Sequence, residues 1–187
     1  MRNLLIIILL SFAVNPGCKT RQPLIQVISS EYEVDEMVTA ADFSGQATWL
    51  LGYVNFFQMT RPPHSEWYES GFANYRYDRI VMDEIKKTSR EGITIKIVLG
   101  TWCPDTRREM PRFMRILDSW EFPQEKITYT GVDNAKQSPV AEYESLNIER
   151  VPTFIIYRNN NEAGRIIEVP TTSLEQDMLN ILRGNNK

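Results

Sequence analysis

The chain begins with one nearly unbroken apolar run and then changes to short apolar segments that alternate with amphipathic ones. Residues 4–14 are apolar apart from Ser11. From about residue 90, continuous apolar segments of strand length alternate with segments whose apolar residues recur at helical spacing. This pattern predicts strands at 49–57, 93–99, 127–132, 153–157 and 165–169, and helices at 31–42, after Ser65, from Asp78 to about Arg90, at 104–120, at 139–146 and after a capping box at 172–175.

The order of these elements predicts an α/β domain. Crossover connections of this length make the first strands parallel, because they bring the chain back to the same end of the sheet. The polar turn at 159–164 makes the last two strands an antiparallel hairpin. We therefore expect a central mixed β-sheet with helices on both faces, preceded by an N-terminal extension.

The first residues have the form of a secretory signal. Arg2 precedes the apolar run, and the run stops at 15–18, which reads Asn-Pro-Gly-Cys. A transmembrane helix needs ~20 apolar residues, which is more than this run contains. We expect 1–17 to be a signal peptide, so that the mature chain works where disulfide chemistry is possible.

The end of that run resembles the lipobox of bacterial lipoproteins, because a Gly directly precedes Cys18. The resemblance implies that Cys18 is lipidated and that 18–60 forms the lipid anchor, tether and extension. The protein would then be a membrane-anchored lipoprotein of the bacterial cell envelope, facing the periplasm or the cell exterior. The alternative is ordinary cleavage nearby, with Cys18 a free or paired thiol.

Composition excludes several classes of function. The formal net charge is -3, which leaves no excess of positive charge to bind phosphates, so we expect no nucleic-acid partner. Cys18, Cys103 and His64 are the only residues of their types, too few for a zinc site without carboxylates. Walker A, dinucleotide-binding and metalloprotease motifs are absent from the sequence. We expect no metal and no cofactor, and no catalytic role for His64.

Cys103 stands where a thiol is activated. It follows the strand at 93–99 and directly precedes Pro104, which opens the next helix. Unpaired N–H groups and the positive end of the helix dipole stabilise a thiolate at such a position. Arg107 and Arg108 lie one turn further on and can add to this effect, although a solvated helix face is the simpler interpretation of the arginines there.

Several motifs together resemble the thioredoxin superfamily. The match covers about 93–182 and is carried by Trp102-Cys103-Pro104, Pro111 in the following helix and Val151-Pro152-Thr153 before the next strand, with Asp133 and Gly164 in register. It implies a thioredoxin-like three-layer fold at 61–187, with Pro152 in cis against the active-site loop. It also implies that Val151 presents its backbone to an extended substrate, with Trp102, Pro104 and Thr153 beside it.

The sequence departs from the family at two positions. Thr106 stands where the second cysteine is usual, so the thiol that resolves mixed disulfides is missing, and Ile97 replaces a buried acid. The Thr106 hydroxyl can instead donate a hydrogen bond to the Cys103 thiolate. These departures predict monothiol exchange, of the reductase or isomerase type, with Cys103, Thr106 and Pro152 as the catalytic residues.

The partners of such a protein would be protein thiols or disulfides of the envelope. An external thiol reductant or the substrate's own cysteine would resolve the mixed disulfide. A glutaredoxin-like use of a low-molecular-weight thiol or an iron–sulfur cluster is a further option. The alternative from another class is a redox-silent lipoprotein that binds a peptide or protein in a groove between Trp102, Val151 and the Trp67/Tyr68 region.

Overall fold

The computed structural model describes residues 40–41 and 48–185 of the chain. The signal peptide, Cys18 and most of the helix predicted at 31–42 lie outside the described residues. Ala40–Ala41, at the end of that predicted helix, is a short strand that pairs with Thr48–Trp49. No helix of the described part is long and apolar enough to cross a membrane.

The described chain contains seven strands and five α-helices. The strands are β1 Ala40–Ala41, β2 Thr48–Trp49, β3 Gly52–Tyr53, β4 Ile93–Leu99, β5 Ile127–Gly131, β6 Thr153–Arg158 and β7 Asn161–Ile167. The α-helices are α1 Phe56–Met59, α2 Ser65–Asn74, α3 Arg79–Lys86, α4 Pro104–Ser119 and α5 Leu174–Leu182, and two 3-10 helices lie at Gln124–Lys126 and Tyr143–Leu146.

The main sheet has five strands in the order β3-β5-β4-β6-β7. Strand β4 pairs parallel with β5, whereas the β3–β5, β4–β6 and β6–β7 pairs are antiparallel. The predicted mixed sheet with a parallel start and a final hairpin is confirmed. The hairpin turns tightly at Asn159 and Asn160, which both have positive φ, so β7 begins earlier than the predicted 165.

Alternate residues of β4 face opposite sides of the sheet. Ile93, Ile95, Ile97 and Leu99 are buried in the main core, together with side chains of all five α-helices. Val98 belongs to a second cluster of buried residues, which the 3-10 helix at Tyr143–Leu146 helps to cover. The second cluster is the one that contains Cys103, so this side of the sheet carries the candidate nucleophile.

Two predicted elements are shorter than expected. The strand expected at 49–57 is confined to the end of β2 and to β3, and Asn55 then caps helix α1. The helix expected at 139–146 is reduced to its last four residues as a 3-10 turn, which ends at Asn147 with φ 49°. In both cases a left-handed residue or a cap ends the regular structure.

Two helix caps lie one residue away from their predicted positions. Ser65 is the first residue of α2, and His64 occupies the cap position without a side-chain cap bond. The cap of α5 is Ser173, which accepts a hydrogen bond from the Gln176 N–H. Glu175 is buried instead, and its carboxylate accepts bonds from the Tyr75 hydroxyl and from a backbone N–H of the turn before α3.

The segment before residue 61, which was expected to belong to the extension, contributes to the core. Met59 is fully buried and Leu50 and Val54 are nearly so. The Leu50 N–H donates to the buried Thr101 hydroxyl at 3.2 Å. A Cβ at Gly131 would lie 2.0 Å from the Leu50 carbonyl oxygen, so only glycine allows this segment to cross β5 so closely.

Candidate functional site

Cys103 lies at the junction between β4 and α4. Its φ and ψ of -79° and 127° are extended, as expected for the residue that caps a helix, and Pro104 takes the first helical position. The Cys103 N–H donates to the Gly100 carbonyl at 2.9 Å, which closes a tight turn between strand and helix. The residue is only 6% exposed, so its sulfur is held inside the surface.

The sulfur of Cys103 contacts the segment that precedes β6. Its thiol donates a hydrogen bond of 3.3 Å to the carbonyl oxygen of Val151, a residue 48 positions away. The peptide bond between Val151 and Pro152 is cis. The structure thus brings the Trp-Cys-Pro and Val-Pro-Thr motifs together.

Thr106 does not contact the sulfur as the sequence predicts. Its side chain is fully buried, and the hydroxyl oxygen accepts the Gly100 N–H at 3.3 Å. The Cys103 thiol has the Val151 carbonyl as its partner instead. Thr106 therefore braces the loop before Cys103, because a threonine at this point of the first turn reaches back to the strand end.

The indole ring of Trp102 packs over Gly100, in the loop between β4 and α4. Its indole N–H donates to the Val132 carbonyl at 3.0 Å, and the residue is half-buried. A Cβ at Gly100 would lie 2.7 to 2.9 Å from three atoms of the indole ring. The tryptophan is thus positioned by the end of β5 and requires glycine at position 100.

Gly100→Ala is expected to lower the free energy of unfolding by about 1–3 kcal/mol, because the new methyl group overlaps the indole. Urea unfolding of the full chain measures this loss. In a Trp102→Ala background the cost of Gly100→Ala should largely vanish. An equal cost in both backgrounds would show that the indole is not the cause.

The other residues assigned to the substrate site differ in accessibility. Pro104 is exposed at the start of α4, whereas Val151 and Thr153 are buried. The Thr153 hydroxyl donates to the Arg150 carbonyl at 2.6 Å, so it holds the cis-proline segment and is not itself presented to solvent. Val151 thus meets the Cys103 sulfur with its backbone carbonyl, whereas the ring of Pro104 is exposed.

An ion pair beside the cis-proline segment was not anticipated from the sequence. Arg150 donates to the Glu168 carboxylate at 2.6 Å, and this bond raises the pKa of the guanidinium. The Glu168 N–H donates to the Pro152 carbonyl at 2.7 Å, with φ of 61° at Glu168. An arginine directly before Val-Pro is the sequence signal for this pair, but its partner follows another strand.

The aromatic residues of α2 do not line a groove beside Cys103. Tyr68 is buried in the main core and Trp67 packs against the same core, whereas Cys103, Val151 and Trp102 belong to the second cluster. The groove suggested for the peptide-binding alternative thus lacks its aromatic wall. His64 is buried edge-on to Trp67, which is a packing role.

No cluster of three or more His, Cys, Asp or Glu residues suited to a metal ion occurs among residues 40–41 and 48–185. Ile97 is fully buried below the loop. The Cys103 sulfur is surrounded here by polar backbone groups, with the Val151 carbonyl as its hydrogen-bond partner.

No protein-family model matches the chain. A Dictyostelium discoideum protein named "Putative thioredoxin-5" is 33% identical over 92 residues, which are 48% of this chain and 82% of that protein. A Pseudomonas aeruginosa protein of unknown function gives a TM-score of 0.45 at 14% identity, covering 65% of this chain and 80% of its own. An HIV epitope scaffold gives 0.40 at 17% identity, covering 64% and 72%.

Proposed function

Because this chain belongs to the thioredoxin family, we propose that it carries out thiol–disulfide exchange through the single thiol of Cys103. The observation that supports this most directly is the position of the sulfur. It lies at the cap of a 16-residue helix and 3.3 Å from the carbonyl that precedes cis-Pro152. A helix N-terminus favours the thiolate that the reaction needs.

The reaction proceeds by two displacements at sulfur. The Cys103 thiolate attacks one sulfur of a substrate disulfide, the S–S bond breaks, and the other substrate sulfur leaves as a thiolate that takes up a proton. Thr106 cannot perform the second displacement, because an alcohol stays protonated at physiological pH. The mixed disulfide is therefore resolved by an external thiol or by a second cysteine of the substrate.

Substrate docking and thiol release are coupled in this proposal through the Val151 carbonyl. In the resting protein that carbonyl accepts a hydrogen bond from the thiol. An extended substrate that pairs with the Val151 backbone offers an N–H to the same oxygen. In this proposal the substrate N–H displaces the thiol from that oxygen, and the sulfur is then free to turn toward the substrate disulfide.

We also propose that the protein acts at the bacterial cell envelope as a membrane-anchored lipoprotein. The apolar run at 4–14 and the Gly-Cys18 junction support this. The envelope supplies protein disulfides as partners, and the anchor keeps the domain at the membrane surface. The acidic stretch at 31–42 then serves as a spacer.

The test uses the full chain with Cys18→Ser, so that Cys103 is its only thiol. After incubation with a one-cysteine peptide oxidised to its disulfide-linked dimer, and removal of the released peptide thiol, intact-mass measurement is expected to show one bound peptide. The adduct should persist, because the protein has no second thiol to displace it. The same chain with Cys103→Ser is expected to give no adduct.

The alternative function is peptide binding without redox chemistry. The 6% exposure of Cys103 and its bonded thiol favour this alternative. If the folded chain forms no adduct while the urea-unfolded chain does, the thiol is inert and the exchange proposal fails. Retention of a bound partner by the Cys103→Ser chain would then identify the protein as a binding module.

A further inference from the structure

The arginines of α4 are neutralised by acidic residues, with one exception near Cys103. The helix carries four arginines and three acidic residues. Three of the arginines form ion pairs, which join Arg108 to Asp105 and Glu109, Arg112 to Glu109, and Arg115 to Asp118. Within the described residues, Arg107 has no carboxylate within ion-pair distance.

Arg107 is fixed beside the active-site loop despite its exposure. Its Nε–H donates to the carbonyl of Thr101 at 2.8 Å, two residues before Cys103. Its backbone N–H donates to the Cys103 carbonyl at 3.1 Å, so it lies in the first turn of α4. The side chain is therefore anchored by one nitrogen, and its two terminal nitrogens keep their donors for an external group.

The charged groups of the cis-proline segment and the acid nearest to Cys103 in the sequence have partners. Arg150, on the cis-proline side, is paired with Glu168. Glu149 interacts electrostatically with Arg150 and Arg165. Asp105, the acid closest to Cys103 in the sequence, is engaged by Arg108 at 2.7 Å. The guanidinium of Arg107 is thus the uncompensated charge on the helix that carries the sulfur.

We infer that Arg107 makes exchange at Cys103 selective for anionic thiols, and that the thiol that resolves its mixed disulfides is a low-molecular-weight thiol bearing a carboxylate. This inference rests on the proposed function. An arginine presents paired N–H donors that match a carboxylate, and a small thiol can bring its carboxylate and its sulfur to the site together. A bulky protein thiol is not required.

The proposed reaction consumes two molecules of the small thiol for each substrate disulfide. The first thiolate attacks the Cys103 sulfur of the mixed disulfide, and the substrate sulfur leaves as a thiolate and takes up a proton. The second attacks the small-molecule sulfur now bound to Cys103. This frees the Cys103 thiolate and leaves the small thiol as its own disulfide. The substrate disulfide is reduced, and two small thiols are oxidised.

The experiment measures charge selectivity on the full chain with Cys18→Ser. Cys103 is first converted to its 2-pyridyl mixed disulfide. The release of 2-thiopyridone is then timed with 3-mercaptopropionate, 2-mercaptoethanol and cysteamine, which are anionic, neutral and cationic. Each rate constant is divided by that of the same thiol with 2-hydroxyethyl 2-pyridyl disulfide, so that intrinsic nucleophilicity cancels.

We expect the normalised rate of the anionic thiol to exceed that of the cationic thiol by about threefold to tenfold at low salt, since exposed ion pairs are weak. High salt should remove the difference, because it screens the charges. Arg107→Gln should abolish the preference and Arg107→Lys should retain it. The matched control is Arg115→Gln, about 12 Å further along the same helix, which should leave the preference intact.

Two results would overturn the inference in distinguishable ways. If all three thiols react at equal normalised rates, or if Arg107→Gln keeps the preference, exchange stands and the assignment of Arg107 fails. If Cys103 of the folded chain does not react with 2,2′-dithiodipyridine while the unfolded chain does, the proposed function fails and the inference fails with it.

Discussion

Replacement of Thr106 by cysteine is expected to convert the long-lived mixed disulfide at Cys103 into one that is resolved within the protein. Cys103 caps α4 and Thr106 is the third residue of its first turn. The capping box shows that each of these two positions brings its side chain to the backbone of the other, so two cysteine side chains there would lie side by side. Cysteine also fits the space of a fully buried threonine. The new thiol would therefore attack the mixed disulfide without diffusion.

The expected effect is large because an intramolecular thiol acts at a high local concentration. Even ~1 M effective concentration would accelerate resolution about 10³-fold over 1 mM external thiol. The measurement is the lifetime of the peptide adduct by intact mass, in the full chain with Cys18→Ser. The expected product has lost the peptide and contains a disulfide between Cys103 and the introduced cysteine.

Thr88→Cys provides the control, because it adds a second thiol far from Cys103. Thr88 precedes β4 and Cys103 follows its other end, so a strand of seven residues separates them, which spans roughly 23 Å. This variant should leave the adduct lifetime unchanged. Equal lifetimes in the Thr106→Cys and Thr88→Cys chains would mean that the site does not hold a substrate disulfide within reach of α4.

Replacement of Phe154 by alanine is expected to lower the free energy of unfolding by about 3–5 kcal/mol. Phe154 is fully buried in β6, and its ring stacks on that of Phe113 with 4.1 Å between the ring centroids. Alanine removes this contact and leaves a cavity between α4 and the sheet. Since β6 follows Pro152 directly, the loss also loosens the segment that contacts Cys103.

Urea unfolding followed by circular dichroism measures this effect, with a midpoint shift of about 2 M. Phe57→Ala is the matched control, because Phe57 is 67% exposed and its removal should cost less than ~0.5 kcal/mol. A comparable shift for the two variants would show that the Phe113–Phe154 contact does not support the core.

The elements around Cys103 were predictable because each has a strong local signal. Strand β4 is a continuous apolar segment, and α4 opens with a proline and carries apolar residues at helical spacing. The segment at 49–57 was not predictable in the same way. Its apolar residues resemble a strand, but Gly52 and the cap at Asn55 divide it into a short strand and a helical turn.

At the site, too, some features follow from neighbouring residues and others depend on residues remote in the chain. The position of Cys103 at a helix start and the Val-Pro-Thr motif are evident from neighbouring residues. The partner of the Cys103 thiol is not, because the Val151 carbonyl lies 48 positions away in the sequence and only the fold brings it to the sulfur.

The order of strands and helices and the location of the nucleophile follow from short stretches of sequence, because hydrophobic period, proline and caps act within a few residues. The folded chain alone determines that the Val151 carbonyl accepts a hydrogen bond from the thiol, that Glu168 neutralises Arg150, and that Arg107 is left without a carboxylate among the described residues. Hydrogen bonds and ion pairs depend on distances of a few ångströms between residues remote in the chain, and only packing sets those distances.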